Sequence, residues 1–232
     1  MAIINENAKA LARTHDEDLS KYEEVDLQRS SSRTYIGLVL DSSGSMARYR
    51  QEAISGYNLQ LQAIRKASEH EVRVWMSLFG TRKGIDWPID RGEVADLYDL
   101  TWKNYRPSGS TPLLDAIGET IDRLSSEDTG SPREAFLLIA FSDGQENASQ
   151  KWSWGSLSVL IKMLSNDERW TFVFVGPKSE HLMFEKAGFK PENLLEWDSG
   201  KLPELMAKTS KGIERFLKER NVGGLLKDFF GG

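Results

Sequence analysis

Three residues with hard oxygen donors follow a predicted buried strand near the start of the chain. The strand covers the apolar stretch 35–40, and Asp41, Ser43 and Ser45 come directly after it. A turning loop can direct one carboxylate and two hydroxyls at alternate positions toward a single point. Oxygen ligands of this kind suit Mg²⁺, Mn²⁺ or Ca²⁺ rather than zinc. The stretch therefore predicts one part of a divalent-cation site.

Two later segments offer the remaining ligands. Thr111 ends a loop of small residues before a predicted helix, and Asp143 follows a second apolar strand over residues 135–141. Loops at the carboxyl ends of parallel strands meet in one crevice of an open sheet, so we expect both residues to lie beside the first three. We call these five residues the oxygen cluster: Asp41, Ser43, Ser45, Thr111 and Asp143.

Thr111 also has a structural interpretation. Thr is favoured at a helix N-cap and Pro at the first helical position, so Thr111-Pro112 predicts the start of a helix. A hydroxyl that caps a helix is less available to a metal, and the two roles therefore compete. The small residues Gly109-Ser110 that lead into Thr111, and the family pattern described next, favour the metal role.

The cluster resembles the metal-ion-dependent adhesion site of von Willebrand factor A (VWA) domains. That motif is Asp-x-Ser-x-Ser, then a distant Thr and a distant Asp, and the resemblance runs from about residue 34 to about residue 197. Residues 105–118, 142–149 and 170–176 also resemble a group of intracellular bacterial and phage VWA proteins. By this resemblance, the three hydroxyls contact the metal directly, and the two carboxylates act largely through water or hydrogen bonds.

The resemblance implies a receptor for an acidic residue of a partner protein. Mg²⁺ is the expected ion, with Mn²⁺ or Ca²⁺ as alternatives, and a partner Glu or Asp would replace one of its waters. Arg48 and Arg106 lie near the motif and could attract such a partner, although a solvated surface is their simpler interpretation. Ser110 and Glu146 complete the predicted rim. Relatives often serve multi-protein machines, some with AAA+ ATPases, which makes such an assembly the expected partner.

Two other functions compete with the receptor. A Mg²⁺-dependent hydrolase or phosphoryl-transfer enzyme is disfavoured, because Ser43 stands where aspartate-nucleophile phosphatases have a second Asp. The chain also has no phosphate-binding P-loop motif. His70 and His181 lie in unrelated segments near predicted helix ends, where a surface position is expected. The remaining alternative is an assembly subunit whose metal only holds the loops together.

Predicted strands alternate with predicted helices along the chain. Strands are expected over residues 35–40, 72–79, 135–141, 170–175 and 194–197, and helices over residues 46–67, 111–124, 156–164, 179–187 and 203–220. This order is typical of a doubly wound, Rossmann-like α/β fold with a mostly parallel sheet and helices on both faces. Residues 84–90 should add one antiparallel edge strand through a hairpin. Gly56 indicates that the first helix approaches a strand closely.

The chain divides into three predicted parts. Residues 1–33 form a polar N-terminal extension, residues 34–220 the VWA domain, and residues 221–232 a C-terminal tail. The tail carries two leucines and two phenylalanines between glycine pairs. We expect it to cover a hydrophobic groove, and a motif for a partner protein is the alternative.

Composition narrows the class of protein. The 232 residues carry a net charge of −5 with no block of basic residues, which disfavours nucleic acid and membrane surfaces as partners. The absence of Cys excludes disulfides and thiolate metal sites. No signal-peptide pattern opens the chain, and no apolar run approaches the roughly 20 residues of a membrane helix. These features predict a cytoplasmic protein.

Overall fold

The computed structural model describes residues 32–144, 146–226 and 228–231. The predicted extension over residues 1–33 lies outside the described residues except for its last two. Six strands form one sheet in the order β3-β2-β1-β4-β5-β6. The strands are β1 Arg33–Asp41, β2 Glu71–Thr81, β3 Gly84–Glu93, β4 Glu134–Phe141, β5 Trp170–Gly176 and β6 Leu194–Glu196.

The predicted α/β fold is confirmed. All neighbouring strands pair in parallel except β2 and β3, which form the expected antiparallel hairpin at one edge. Every residue of β4 is buried, which suits a central strand that is covered on both faces. The α-helices are α1 Arg50–Ala67, α2 Leu113–Ser125, α3 Trp154–Ser165, α4 Lys178–Ala187 and α5 Leu202–Asn221.

Helices cover both faces of the sheet because side chains alternate along each strand. Ile36 and Leu38 of β1 belong to the apolar core that includes α1 and α5, whereas Tyr35 and Val39 belong to the core that includes α2, α3 and α4. Among the described residues, no helix combines the length and the apolar character that crossing a membrane requires.

The strand order places a crevice where the oxygen cluster was expected. From β1 the chain passes through α1 to β2 on one side, whereas β4 lies on the other side of β1. Ligand sites of open α/β sheets lie at such a reversal, outside the carboxyl ends of the strands. Asp41 ends β1, and Asp143 follows the end of β4 by two residues.

Three local predictions were wrong. The segment 44–49 forms a 3₁₀ turn, so the first α-helix begins only at Arg50. Gly56 faces a helix rather than a strand, because a Cβ on it would lie 2.3 Å from Met206 Cγ of α5. His70 is not a free surface residue, since its ring nitrogens lie 2.7 Å from the hydroxyl of Thr34 and 2.6 Å from Oδ1 of Asn221.

The described part of the C-terminal tail packs on the domain, as predicted. Phe229 is fully buried, and its N–H donates to Asn193 Oδ1 at 3.0 Å. Gly212 of α5 makes room for the ring, because a Cβ there would lie 2.4 Å from Phe229 Cε1. The tail therefore fills a groove beside α5.

Candidate metal centre

Asp41 lies at the centre of the crevice and is completely buried. Its Oδ1 accepts a hydrogen bond from the Ser43 N–H at 2.7 Å, and its Oδ2 accepts one from the Ser142 hydroxyl at 2.6 Å. Burial raises the pKa of the Asp41 carboxyl to about 6, while the bonds from Ser142 and Ser43 act in the opposite direction. The charge of Asp143 adds to the increase. An Asp41 carboxylate is therefore costly to ionise unless a cation lies nearby.

Hydroxyls join the first loop of the cluster to the second carboxylate. Ser43 Oγ lies 3.0 Å from Ser45 Oγ, and Ser45 Oγ donates to Asp143 Oδ1 at 2.7 Å. The Asp143 side chain is only 1% exposed, and its Oδ2 has no hydrogen-bond donor among the described residues. A buried carboxylate oxygen without a donor is unfavourable, and a cation would compensate it.

Thr111 brings the third loop to the same place. A Cβ on Gly144 would lie 3.8 Å from Thr111 Oγ1 and 3.9 Å from Ser45 Oγ, so both hydroxyls face the Gly144 backbone. The absence of a side chain on Gly144 leaves the space between these groups free. The structure thus brings together residues from all three loops of the oxygen cluster.

The alternative role of Thr111, as the cap of the following helix, is contradicted by the structure. The helix α2 begins at Leu113, and its N-cap is Pro112, which has no capping side chain. The N–H of Leu114 instead donates to Glu146 Oε2 at 2.9 Å. A carboxylate from a distant loop therefore satisfies this helix N-terminus, where negative charge is favourable. The Thr111 hydroxyl is not required for capping, so the competition between its two roles disappears.

Glu146 was predicted on the rim, but its carboxylate is engaged inside the loop that follows β4. Besides the N–H of Leu114, it accepts hydrogen bonds from the N–H groups of Ala148 and Ser149 at 2.8 and 2.7 Å. The Ser149 hydroxyl donates to it as well, at 2.7 Å. With these bonds, Glu146 shapes the loop and ties it to α2.

Two further residues hold this loop, and the sequence pattern assigned them no role. The Thr111 N–H donates to Asn147 Oδ1 at 2.8 Å, and the Asn147 N–H donates to the Thr111 carbonyl at 3.2 Å. Asp115 accepts from three consecutive N–H groups, those of residues 150–152, at 2.7 to 2.9 Å. Asn147 thus fixes Thr111, and Asp115 fixes the far end of the loop.

The loop between β3 and α2 is anchored beneath the cluster by Tyr105. Its buried hydroxyl donates to the Asp41 carbonyl at 2.6 Å, and burial together with the nearby carboxylates raises its pKa. Arg50 supports the same loop, because its Nε donates to the Tyr105 carbonyl at 2.8 Å and a terminal nitrogen donates to the Trp102 carbonyl. Arg50 is therefore committed to structure.

The three other rim candidates are exposed. The Arg48 guanidinium lies 3.8 Å from Asp143 Oδ2 and 4.8 Å from the centre of the Tyr49 ring. Arg106 donates only to the carbonyl of Lys103, at 3.0 Å, and Ser110 lies on the Thr111 loop. Among the described residues, Arg48 has only this one carboxylate nearby and Arg106 has none. The positive charge of both arginines is therefore largely unpaired.

The donor set fits a hard divalent cation. Two carboxylates and three hydroxyls converge from three loops, and all five groups offer oxygen. The described residues contain no group of three His, Cys, Asp or Glu side chains that would suit a metal. A metal at this place would therefore depend on the hydroxyls as much as on the acids, and a search for acidic clusters alone overlooks such a site.

Comparison with known proteins gives the fold. No family model matches the chain, and no curated protein matches it either. Among solved structures, the vWF domain of the type V pili tip protein Mfa5 from Porphyromonas gingivalis matches with a TM-score of 0.57 and 9% identity. The match covers 79% of this chain and 96% of that one. The fold is that of a VWA domain.

Two other solved structures share this fold. The manganese-loaded TRAP protein of Plasmodium vivax matches with a TM-score of 0.52 and 18% identity, over 77% of this chain and 72% of that one. The pilus adhesin SpaC of Lactobacillus rhamnosus GG, in its open conformation, matches with a TM-score of 0.59 and 14% identity. That match covers 79% of this chain but only 30% of SpaC. At these identities the likeness concerns the VWA fold alone.

Proposed function

We propose that this VWA-type domain binds a divalent cation in the oxygen cluster and, through it, a carboxylate of a partner protein. The observation that carries the proposal is Asp143 Oδ2, a buried acidic oxygen without a donor that lies next to the Ser45 hydroxyl. Mg²⁺ is the proposed ion, with Mn²⁺ or Ca²⁺ as alternatives. The manganese-loaded state of the Plasmodium vivax protein supports a divalent metal in this fold.

The neutral and the charged residues of the cluster have different roles. Ser43, Ser45 and Thr111 would hold the ion through neutral oxygens. Asp143 accepts a hydrogen bond from the Ser45 hydroxyl, so the lone pairs of that hydroxyl point away from Asp143 and are available to an ion. A bound divalent cation supplies Lewis acidity and attracts anionic oxygen. Because neutral groups fill most ligand positions, the ion would retain its attraction for a further carboxylate.

A receptor is favoured over a purely structural metal because the loops are already connected. Ser42 donates its N–H to the Phe79 carbonyl at 2.7 Å and accepts from the Ser108 N–H at 2.8 Å. Gly44 donates to the Gly109 carbonyl at 3.1 Å. These bonds link the first loop to the end of β2 and to the loop before α2. Asn147 in turn joins the loop after β4 to Thr111. An ion is therefore not needed to hold the three segments together.

The proposed partner is a protein with an exposed acidic residue, within an assembly of the kind that contains an AAA+ ATPase. We propose a cytoplasmic location and no enzymatic activity, on the sequence features described above. The structure neighbours include pilus proteins, so the location is to be tested together with the partner.

Calorimetry and affinity capture test the proposal. Mg²⁺ should bind the intact protein, and a partner should be recovered from native lysate in Mg²⁺ but not in EDTA. Thr111→Ala should abolish both signals and leave the free energy of unfolding in EDTA nearly unchanged. Thr171→Ala removes a buried Thr from the start of β5, far from the cluster, and should retain both signals. If Thr111→Ala retains partner binding, the receptor role is refuted.

A further inference from the structure

A second cleft lies next to the oxygen cluster without including any of its five residues. It has a volume of about 400 Å³ and lies between the end of β2, the β2–β3 turn and the loop before α2. Polar and charged residues make up most of its walls: Ser42, Thr81, Arg82, Asp86, Asn104 and Arg106. Its volume is that of a small ligand site, which is enough for an acidic side chain and its water.

Ser42 provides a buried polar atom in the inner wall of this cleft. The residue is only 1% exposed, and its hydroxyl has no hydrogen-bond partner among the described residues. Its backbone N–H and carbonyl are both bonded, so only the hydroxyl is left over. Buried hydroxyls are normally paired, and the exceptions need an explanation. An oxygen ligand within the cleft would supply the missing partner.

The charges around the cleft favour an anion. Arg82 and Arg106 form no ion pair among the described residues, and Arg106 makes a single hydrogen bond, to the Lys103 carbonyl. Asp86 is the one acid that lines the cleft, so its walls carry an excess of positive charge in a chain whose net charge is −5. Guanidinium groups bind carboxylates through paired N–H donors.

The cleft shares its inner wall with the oxygen cluster. Ser42 stands between Asp41 and Ser43, and consecutive Cα atoms are about 3.8 Å apart. Gly80, at the end of β2, packs on the same loop, because a Cβ there would lie 2.7 Å from the Ser43 N atom. Gly80 also has a φ of +80°, so other residues would be strained at this contact. A segment that occupies both sites would need to span only a few residues.

We infer that the cleft is a second acid-binding subsite, formed by Arg82, Arg106 and Ser42, for a carboxylate of the same partner segment that binds the metal. The inference rests on the proposed function. It specifies the partner further, as an extended segment with two acidic residues a few positions apart, because Ser42 of the cleft adjoins Asp41 and Ser43 and an extended residue spans about 3.3 Å.

NMR titration of arginine-labelled protein provides the test, because it detects weak peptide binding. The probes are short Gly/Ser peptides with one Glu, with two Glu at separations from one to five positions, or with Gln in place of Glu. They are titrated in Mg²⁺ and in EDTA, at near-physiological salt, where charges more than about 8 Å apart are largely screened. The variant is Arg82→Gln/Arg106→Gln. The control is Arg133→Gln/Lys186→Gln, which removes two exposed cations whose side chains make no bond among the described residues.

In Mg²⁺, the best two-Glu peptide should bind about tenfold more tightly than the one-Glu peptide and should shift the Nε–H signals of Arg82 and Arg106. The preference should vanish in the Arg82→Gln/Arg106→Gln variant and persist in the control. If one Glu binds in Mg²⁺ but a second adds nothing, the subsite is overturned and the proposed function stands. If no peptide binds in a Mg²⁺-dependent manner, both are overturned.

Discussion

Replacing Asp41 with Asn should stabilise the metal-free protein near neutral pH. The Asp41 carboxyl is fully buried, and burial raises its pKa from 3.8 to about 6. Above pH 6 the folded protein therefore holds a charge that the unfolded chain solvates better. The difference corresponds to about 3 kcal/mol of the free energy of unfolding, because a pKa difference of one is worth about 1.4 kcal/mol. A neutral amide of the same shape avoids this cost.

The hydrogen bonds around Asp41 can survive the substitution. The amide oxygen can still accept from the Ser43 N–H, as the carboxylate does at 2.7 Å. The amide nitrogen would face the Ser142 hydroxyl, which can accept from it and donate instead to the Gly144 carbonyl at 3.1 Å. Allowing for weaker bonds, we expect a gain of about 2 kcal/mol, or about 4–8 °C in Tm.

The pH dependence identifies the cause. A carboxyl whose folded pKa exceeds its unfolded value binds more protons when folded, so its stabilising contribution is complete below pH 3.8 and is lost as the pH rises through about 6. The gain from Asp41→Asn should therefore be present near neutral pH and absent near pH 4. Urea unfolding midpoints in EDTA measure it, and the exposed Asp96→Asn is the control.

Adding Mg²⁺ should reverse the order of the two proteins. The metal should stabilise the wild type by about 2.7 kcal/mol at a hundredfold excess over its Kd, and should leave Asp41→Asn unchanged. A variant no more stable than the wild type in EDTA near neutral pH would refute the reasoning. An equal gain at both pH values would refute it too, because it would assign the effect to packing rather than to charge.

Three further predictions concern charges around the fold. Burial lowers the pKa of His70, so the folded protein binds this proton less readily than the unfolded chain. The free energy of unfolding should therefore fall as the pH drops below about 6.5, the ordinary pKa of His. In urea unfolding, His70→Gln should remove this decrease between pH 7 and pH 5. Arg48→Gln should raise Mg²⁺ affinity by about two- to fivefold at low salt but not at high salt, by calorimetry, because it removes a cation 3.8 Å from Asp143 Oδ2. Asp115→Asn should lower the free energy of unfolding by about 2–4 kcal/mol and weaken Mg²⁺ binding, by thermal unfolding and calorimetry, because an amide cannot accept from all three N–H groups.

The sequence predicted those parts of the site that depend on regular structure. Continuous apolar runs identified β1 and β4, and the rule that ligands lie at the carboxyl ends of parallel strands then brought Asp41 and Asp143 together. Helical periodicity located the helices to within a few residues, apart from the 3₁₀ turn before α1. These signals are local and repeat along the chain, so a single sequence contains them.

The partners of loop residues could not be predicted in the same way. Local preference offered Thr111 as an alternative helix cap, but Glu146, more than thirty positions away, supplies the carboxylate that binds the start of α2. Asp115 and Asn147 were given no role, since a short polar residue in a loop or first helical turn has no periodic pattern that indicates its partner. Gly56 was assigned to a strand contact, because spacing shows that an element approaches but not which one.

The unpaired carboxylate oxygen of Asp143 supports a binding role for this end of the sheet. Buried carboxylates elsewhere are well paired: Glu134 accepts from the backbone and hydroxyl of Thr129, and Asp115 accepts from three N–H groups. Among the described residues, Asp143 is the one carboxylate with a buried oxygen that accepts no hydrogen bond, and its other oxygen accepts one from Ser45. Local rules of polar pairing tend to fail where a protein binds something. Asp115, in the first turn of α2, follows these rules. The exception at Asp143 therefore lies at the position where a cation would compensate it.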